Sequence, residues 1–228
     1  MKKVAIIPAR GGSKRIPKKN IKLFCDKPII SYSIQNAIQS GVFDEIIVST
    51  DDEEIATTAI QYNAKVPFYR PKELSLDTTP TLPVIAHAIK ELQLHSNDLV
   101  CCIYPTAPLL QPQHITLALK KLLENPQKLY VFSCAAFDFS PWRSFVINEE
   151  NDISMLFPQY ALKRSQDLQK IYHDAGAFYW GKVHAFCEEK MIFDSHSIAF
   201  ILPGIFAQDI DTLDDWCIAE IKYKLKHP

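Results

Sequence analysis

Residues 3–20 read KVAIIPARGGSKRIPKKN, and how this stretch is understood governs the rest of the chain. Lys3–Pro8 is a continuous apolar run, the pattern of a strand covered on both faces. The chain then turns through Gly11 and Gly12. From Arg10 to Lys22 it carries six bases: Arg10, Lys14, Arg15, Lys18, Lys19 and Lys22. Glycine tolerates positive φ and lets backbone approach a ligand closely. Successive N–H groups in such a loop form an anion-binding concavity, and Arg10, Lys14 and Lys19 add full charges for phosphate oxygens. A solvated turn with surface lysines is the bland alternative. The preceding strand and the density of bases favour phosphate binding. Neither the GxxxxGK[ST] loop nor the GxGxxG fingerprint is present.

Outward from this loop, apolar runs alternate with helical patterns. Helical spacing covers Ile29–Ser40, which ends at Gly41, and strands are predicted at Glu45–Thr50, Ala64–Arg70, Asp98–Tyr104 and Leu129–Ala135. Further helices are predicted at Asp51–Tyr62, Val84–Leu94 and Ile115–Glu124. This alternation implies an α/β fold, a Rossmann-like, mainly parallel sheet with helices on both faces. Ligands then bind where the carboxyl ends of the strands emerge. Between Phe139 and Tyr172 the pattern becomes aromatic and irregular, and strands resume at Ala177–Trp180 and Ile198–Ile201 before an amphipathic helix, Asp214–Leu225. One domain over residues 1–228 with an insertion at about 139–172 is expected.

Composition sets the outer limits. The chain has 228 residues, 47% apolar and 22% charged, with 25 basic and 26 acidic side chains and a net charge of −1. These are the proportions of a globular protein. They speak against a nucleic-acid binder, whose footprint is a basic domain, and the local cationic cluster suits a small polyanion. The six cysteines lack zinc or disulfide spacing and read as buried free thiols in a reducing, cytoplasmic setting. The apolar part of the N-terminus is too short for a signal peptide, and no apolar run reaches 18 residues, so no membrane span is expected. The histidines are scattered, with His227 at the chain's end, and none has nucleophile or metal spacing. Glycine is scarce, only 6 against 15 prolines, so each is expected to serve a backbone need.

PARGGSKRIPKKN resembles the opening motif of the CMP-sialic acid synthetase family of cytidylyltransferases. The likeness continues in order through STDDEEI (Ser49–Ile55), YRPKELSLDTTPT (Tyr69–Thr81), YPTAPLL (Tyr104–Leu110) and QDIDTLDD (Gln208–Asp215), nearly the whole chain. Two departures stand out. Tyr104 replaces the glutamine usual before PT in the sialic acid enzymes. Lys163–Lys182 resembles the branch that activates pseudaminic acid, a bacterial nine-carbon relative of sialic acid.

The resemblance implies roles. Arg10, Ser13, Lys14 and Lys19 would hold the CTP phosphates, with Ala9, Gly11 and Gly12 in the same loop and Lys19 beside the α-phosphate. Asn20, Arg70, Asp77 and Thr81 would surround the nucleoside, although a surface arginine and a helix cap are the plain readings of Arg70 and Asp77. Asp209 and Asp211 alternate in an extended DID, so both can face one divalent ion, Mg²⁺ by its taste for hard oxygens, with Mn²⁺ also possible. An acidic approach to the last helix is the alternative. Tyr104, Arg143, Arg164, His173 and Asp174 would lie on the sugar side, Arg143 and Arg164 as bidentate donors to the sugar carboxylate. The aromatic insertion would be a lid or the arm of a homodimer.

In the implied reaction the anomeric hydroxyl of a nonulosonic acid attacks the α-phosphorus of CTP, and pyrophosphate leaves. The partners are thus CTP and a sugar acid, with no nucleic acid and no membrane. Rival readings are activation of N-acetylneuraminic acid or of an eight-carbon keto-sugar acid and, outside enzymes, a nucleotide-binding regulator.

Overall fold

The structure, a computed structural model, describes residues 1–226; His227 lies outside them. In chain order the elements are β1 (Lys3–Pro8), β2 (Leu23–Phe24), β3 (Lys27–Pro28), α1 (Ile29–Ser40), β4 (Glu45–Ser49), α2 (Glu53–Gln61), α3 (Thr81–Glu91), β5 (Leu99–Ile103), α4 (Pro112–Leu123), β6 (Tyr130–Ala136), β7 (Phe145–Ile147), β8 (Ile153–Met155), β9 (Tyr172–Lys182), α5 (Val183–Cys187), β10 (Ser197–Ile201) and α6 (Leu213–Lys226).

Six strands form one sheet in the order β10-β6-β9-β5-β1-β4. β1 pairs in parallel with both β4 and β5, and β10 is parallel to β6. Only β9 runs antiparallel, wedged between β5 and β6. The expected mainly parallel sheet is therefore present, and the period-2 alternation of strand side chains explains its two covered faces. Ala5 and Ile7 join one core with Ile30, Ile34, Ile55, Ile115 and Leu119 from α1, α2 and α4. Val4 and Ile6 join the other, with Ile85 and Ile89 of α3 and Phe186 of α5. A third cluster packs Ile16, Phe24, Ile29 and Tyr32 against Ile210, Trp216 and Ala219. It ties the basic loop to the start of α6.

Three expectations need correction. Ala64–Arg70 does not form a strand. It touches β4 only through isolated bridges at Ile47–Lys65 and Thr50–Tyr69, because Pro67 has no N–H for a continuous ladder. Gly11 and Gly12 do not use positive φ; among the glycines only Gly41 and Gly176 do, at +66° and +58°. Of the six free cysteines, Cys101, Cys102 and Cys134 are buried, but Cys187 and Cys217 are exposed and Cys25 is half-buried. Among the described residues no helix is long and apolar enough to cross a membrane.

Between β6 and β9 the chain leaves the sheet. The β7–β8 hairpin and two short 3₁₀ turns are held by Trp142, whose ring meets Phe157 and Tyr160 and whose Nε1 donates to the Gln169 carbonyl at 3.0 Å. Much of the arm is bare, although Leu168 is buried: Phe139 is 90% exposed, and Phe145, Val146, Ile147, Ile153 and Leu162 are exposed as well.

Candidate active site

From β1 the chain goes outward to β4 and then returns to β5 on the other side of β1. That reversal opens a crevice at the carboxyl ends of β1 and β5, where doubly wound sheets bind ligands. A cleft of about 210 Å³ lies there, lined by Arg10, Ser13, Lys14, Arg15, Lys19 and Asn20 from the loop after β1, by Arg70, Thr79 and Thr81, and by Tyr104 after β5. Ala9 is buried beneath it, its N–H donating to the Ser49 carbonyl at 2.9 Å.

The loop is shaped by polar ties as much as by glycine. Asn20, 5% exposed, donates from Nδ2 to the Arg10 carbonyl at 2.9 Å. Arg10 reaches the Gly12 carbonyl at 3.2 Å, and the Gly11 N–H donates to Asp51 Oδ1 at 3.0 Å. Gly11 is needed because a Cβ there would stand 2.6 Å from Asp52 Oδ2. Asp52 is the N-cap of α2 and accepts from the Glu54 and Ile55 N–H groups, so the loop lies directly on a helix cap. At Gly12 a Cβ would find nothing nearer than Arg10 Nη1 at 3.9 Å.

Every strong base of the loop except Lys22 faces a carboxylate. Arg10 and Lys14 both pair with Asp77, and hydrogen bonds from Lys14 and then Arg10 hold that carboxyl below its usual range. Asp77 caps nothing; Pro80 occupies the N-cap of α3. Lys18 pairs with Glu54. Arg15 Nη2 lies 2.7 Å from Asp211 Oδ1. Lys19 Nζ donates to the Ile210 carbonyl at 2.6 Å and lies 3.5 Å from Asp211 Oδ1. The lysine after the first strand and the DID near the C-terminus thus meet across 191 residues of sequence.

The meeting follows from burial. Ile16 and Ile210 are 1% and 0% exposed and share one apolar cluster. With Ile210 fixed inward, Asp209 and Asp211 project the other way. Burial pushes the Asp209 carboxyl up, Asp211 adds to the rise and Lys19 opposes it. The far end of the pair is held by Asp215, which accepts from the Asp211 N–H at 3.1 Å and the Thr212 N–H at 2.8 Å.

Arg70 is 5% exposed, not the surface arginine that was its plain reading. Its Nε donates to Ser75 Oγ at 3.1 Å and its Nη2 lies 3.8 Å from Asp51 Oδ1. Nη2 is nonetheless buried without a hydrogen-bond partner, an uncommon state that points to a missing acceptor. Burial lowers its pKa, partly opposed by Asp51. Thr81 Oγ1 and Tyr104 OH are 2.8 Å apart. Tyr104 meets Tyr179 edge-on, and Tyr179 OH donates to Asp174 Oδ2. Beyond Tyr104 an apolar pocket opens, lined by Leu82, Tyr179, Met191, Ile192 and Phe193.

Not all candidate residues converge. His173 is exposed, edge-on to Phe137 and bonded to the Asp174 carbonyl at 2.8 Å; it lines a separate hollow that also reaches Asp209 and Asp211. Arg143 donates to the Lys163 carbonyl, and Arg164 pairs with Asp167 at 2.8 Å. Both sit on the arm and line neither cleft. Sequence reasoning missed Arg15, Asp51 and Tyr179. Asp51 lies inside the quoted STDDEEI, but its ties to Gly11 and Arg70 are long-range.

Comparison with known proteins agrees with this architecture. A family model described as cytidylyltransferase matches residues 4–209. Pseudaminic acid cytidylyltransferase of Campylobacter jejuni subsp. jejuni serotype O:2 is 48% identical over 229 residues, 100% of this chain and 98% of that protein. CMP-N,N'-diacetyllegionaminic acid synthase of Legionella pneumophila is 31% identical, covering 96% of this chain and 95% of that one. The structure of CMP:2-keto-3-deoxy-manno-octonic acid synthetase complexed with CTP aligns with a TM-score of 0.71 over 100% of this chain and 99% of that one, at 17% identity, a likeness of fold. With a crevice at the strand-order reversal, a basic loop on it and a family match from the first strand to Asp209, the chain belongs to the cytidylyltransferase family.

Proposed function

We propose that the cleft binds CTP and that the enzyme transfers CMP to the anomeric hydroxyl of a nonulosonic acid, pseudaminic acid, with release of pyrophosphate. The observation that carries this reading is the convergence of Lys19 with Ile210 and Asp211. It brings a phosphate-directed ammonium and a pair of hard oxygen donors to one point. The sugar is supported by the 48% identity to the Campylobacter protein and by Tyr104. Activation of a different nine-carbon acid is the second reading, favoured by the legionaminic acid relative.

In such a transfer the protein positions groups and neutralises charge. Arg10, Ser13, Lys14 and Lys19 hold the triphosphate, and the unpartnered Arg70 Nη2 meets an acceptor on the base, with Asn20 fixing the loop around it. Asp209 and Asp211 suit a divalent ion, Mg²⁺ or Mn²⁺. They form a crowded carboxylate pair, with the proton affinity of Asp209 raised by desolvation and by Asp211. Among the described residues no third protein ligand of the His/Cys/Asp/Glu type joins them, which fits an ion completed by phosphate and water oxygens. When bound, such an ion supplies charge stabilisation at the phosphates.

The bare apolar arm supports a homodimer. Arg143 and Arg164, on that arm, are suited to the sugar carboxylate of a neighbouring subunit's site.

The test is pyrophosphate release from CTP with Mg²⁺ and a panel of nonulosonic acids, alongside sedimentation for the dimer. Pseudaminic acid is expected to be the preferred acceptor, and Lys19→Ala to cut turnover by orders of magnitude with an unchanged circular dichroism spectrum. Near-normal turnover in Lys19→Ala would sink the assignment of the loop, and the absence of release with every sugar of the panel would favour the regulator.

A further inference from the structure

Lys222 and Gln208 line the separate hollow that reaches Asp209 and Asp211, not the nucleotide cleft. Lys222 extends from α6, and its Nζ donates to the carbonyls of Gly204 at 3.1 Å and Ala207 at 2.8 Å and to Gln208 Oε1 at 3.0 Å. An ammonium has three hydrogens and accepts nothing. Its hydrogens are used up on these acceptors, so Lys222 has none left for a phosphate. The Gln208 amide, for its part, has to turn its oxygen towards Lys222. The amide nitrogen then faces away, 3.2 Å from the Asp209 carbonyl and 3.4 Å from Asp215 Oδ1. The other oxygen of Asp215 accepts from the Asp211 and Thr212 N–H groups at 3.1 and 2.8 Å. One connected set of bonds therefore runs from Lys222 through Gln208 and Asp215 to the backbone on both sides of Ile210.

Part of this set has a plain structural use. The Asp215 N–H returns a bond to Thr212 Oγ1 at 3.2 Å, which makes Thr212 and Asp215 a capping box at the start of α6. Lys222 and Gln208 cap nothing. What they grip is the stretch from Gly204 to Asp209 that leads from β10 into the DID. Two adjacent carboxylates of like charge repel each other, and a slack loop would let them splay. The role of Lys222 can be read from a sign. As a charge alone, it opposes a cation in the hollow, so its removal should tighten metal binding. As an anchor, it fixes the donors, so its removal should loosen metal binding. We propose that Lys222, acting through Gln208 and Asp215, is a positioning residue that holds Asp209 and Asp211 in the arrangement in which they share a divalent ion.

The inference rests on the reading of the DID as the metal pair, and the two can fail separately. Mn²⁺ is titrated into the full-length protein and followed by the paramagnetic resonance of the free ion. The Mg²⁺ concentration for half-maximal pyrophosphate release is measured alongside. Wild-type Mn²⁺ binding that survives Asp209→Asn and Asp211→Asn together would sink the metal reading itself. Given binding that depends on the pair, Lys222→Met and Gln208→Met are each expected to raise the Mn²⁺ dissociation constant and the half-saturating Mg²⁺ by about tenfold or more, the scale for losing a partner that orients metal ligands. Tighter Mn²⁺ binding by Lys222→Met would show that the lysine acts only as a charge. Unchanged Mn²⁺ affinity in both variants, with lowered thermal midpoints, would reduce the clamp to structural support. Either result overturns the proposal. If Lys222→Met fails to fold, Gln208→Met, which removes only the bonds of the amide, decides the matter.

Discussion

Replacing Ile210 with alanine tests whether the site is aimed by its apolar underside. Ile210 is fully buried between Asp209 and Asp211 and packs with Ile16, Phe24, Ile29, Tyr32 and Trp216. Truncating a buried isoleucine costs about 2–5 kcal/mol when the cavity cannot collapse. For a chain of this length each kcal/mol lowers the melting temperature by about 2–4 °C, so a fall of about 4–20 °C is expected. Leu122→Ala is the matched control: it is 2% exposed, on α4, in a different cluster, with a similar cost. At a temperature where both variants are folded, the functional outcomes should diverge. Leu122→Ala should keep near-normal turnover. Ile210→Ala should lose about 100-fold, the penalty for displacing reacting groups by roughly an ångström, because the DID backbone loses its anchor and the main-chain carbonyl that holds Lys19 shifts with it. Circular dichroism melts and a pyrophosphate-release assay decide it. Equal specific activities in the two variants would refute the argument that packing aims the carboxylates.

The two adjacent glycines should separate cleanly. Gly11→Ala forces a Cβ against the Asp52 cap and should cost about 1 kcal/mol in thermal melts, the scale of a lost N-cap. Gly12→Ala should melt like wild type and weaken CTP binding in calorimetry; equal melting temperatures for the two would contradict the geometry. Glu45 accepts from Lys2 and Lys65 at 2.8 and 2.9 Å, and these bonds, Lys2 first, lower its pKa below the ordinary 4.5. A lowered folded-state pKa gives stability that is present above that ordinary value and is lost as pH falls through the folded one. Urea melts should therefore show wild type losing more stability than Glu45→Gln on acidification, and parallel losses would exclude the linkage. Asp77→Asn should tighten binding of free pyrophosphate, since Arg10 and Lys14 lose their internal carboxylate. Unchanged affinity would mean that the pairing does not compete with ligand.

The sheet was legible in the sequence because its causes are local. Continuous apolar runs mark doubly covered strands, and Gly41 marks a helix end by its own backbone chemistry. The loop after β1 was legible for the same reason, since strand, glycines and bases are contiguous. What escaped was whatever depends on a partner far along the chain. Nothing near Ala177–Trp180 announces that β9 runs antiparallel between β5 and β6. The need for Gly11 lies in Asp52, not in its own φ. Tyr179 was read as part of a strand, and its value appears only when β9 sets it against Tyr104 and Asp174. Arg70 looked like a surface residue because burial of a guanidinium cannot be read from YRP.

These long-range pairings also explain how six bases crowd into a chain with a net charge of −1. Arg10 and Lys14 lean on Asp77, Lys18 on Glu54, and Arg15 and Lys19 on Asp211. The loop is therefore not an open cationic patch that would collect any polyanion. All of these side chains retain contact with solvent, Lys14, Arg15 and Lys18 most of all, so the pairs are weak and exchangeable, and a triphosphate with several charges in register can displace what a single phosphate cannot. Asp211 couples the two halves of the site. The same oxygen, Oδ1, faces Arg15 and Lys19 and belongs to the pair suited to a divalent ion. If that oxygen turns to a metal, its hold on both bases weakens, and the ammonium and guanidinium become available to phosphate. Metal and nucleotide should then bind with positive cooperativity, each strengthening the other by the same factor, as linkage requires.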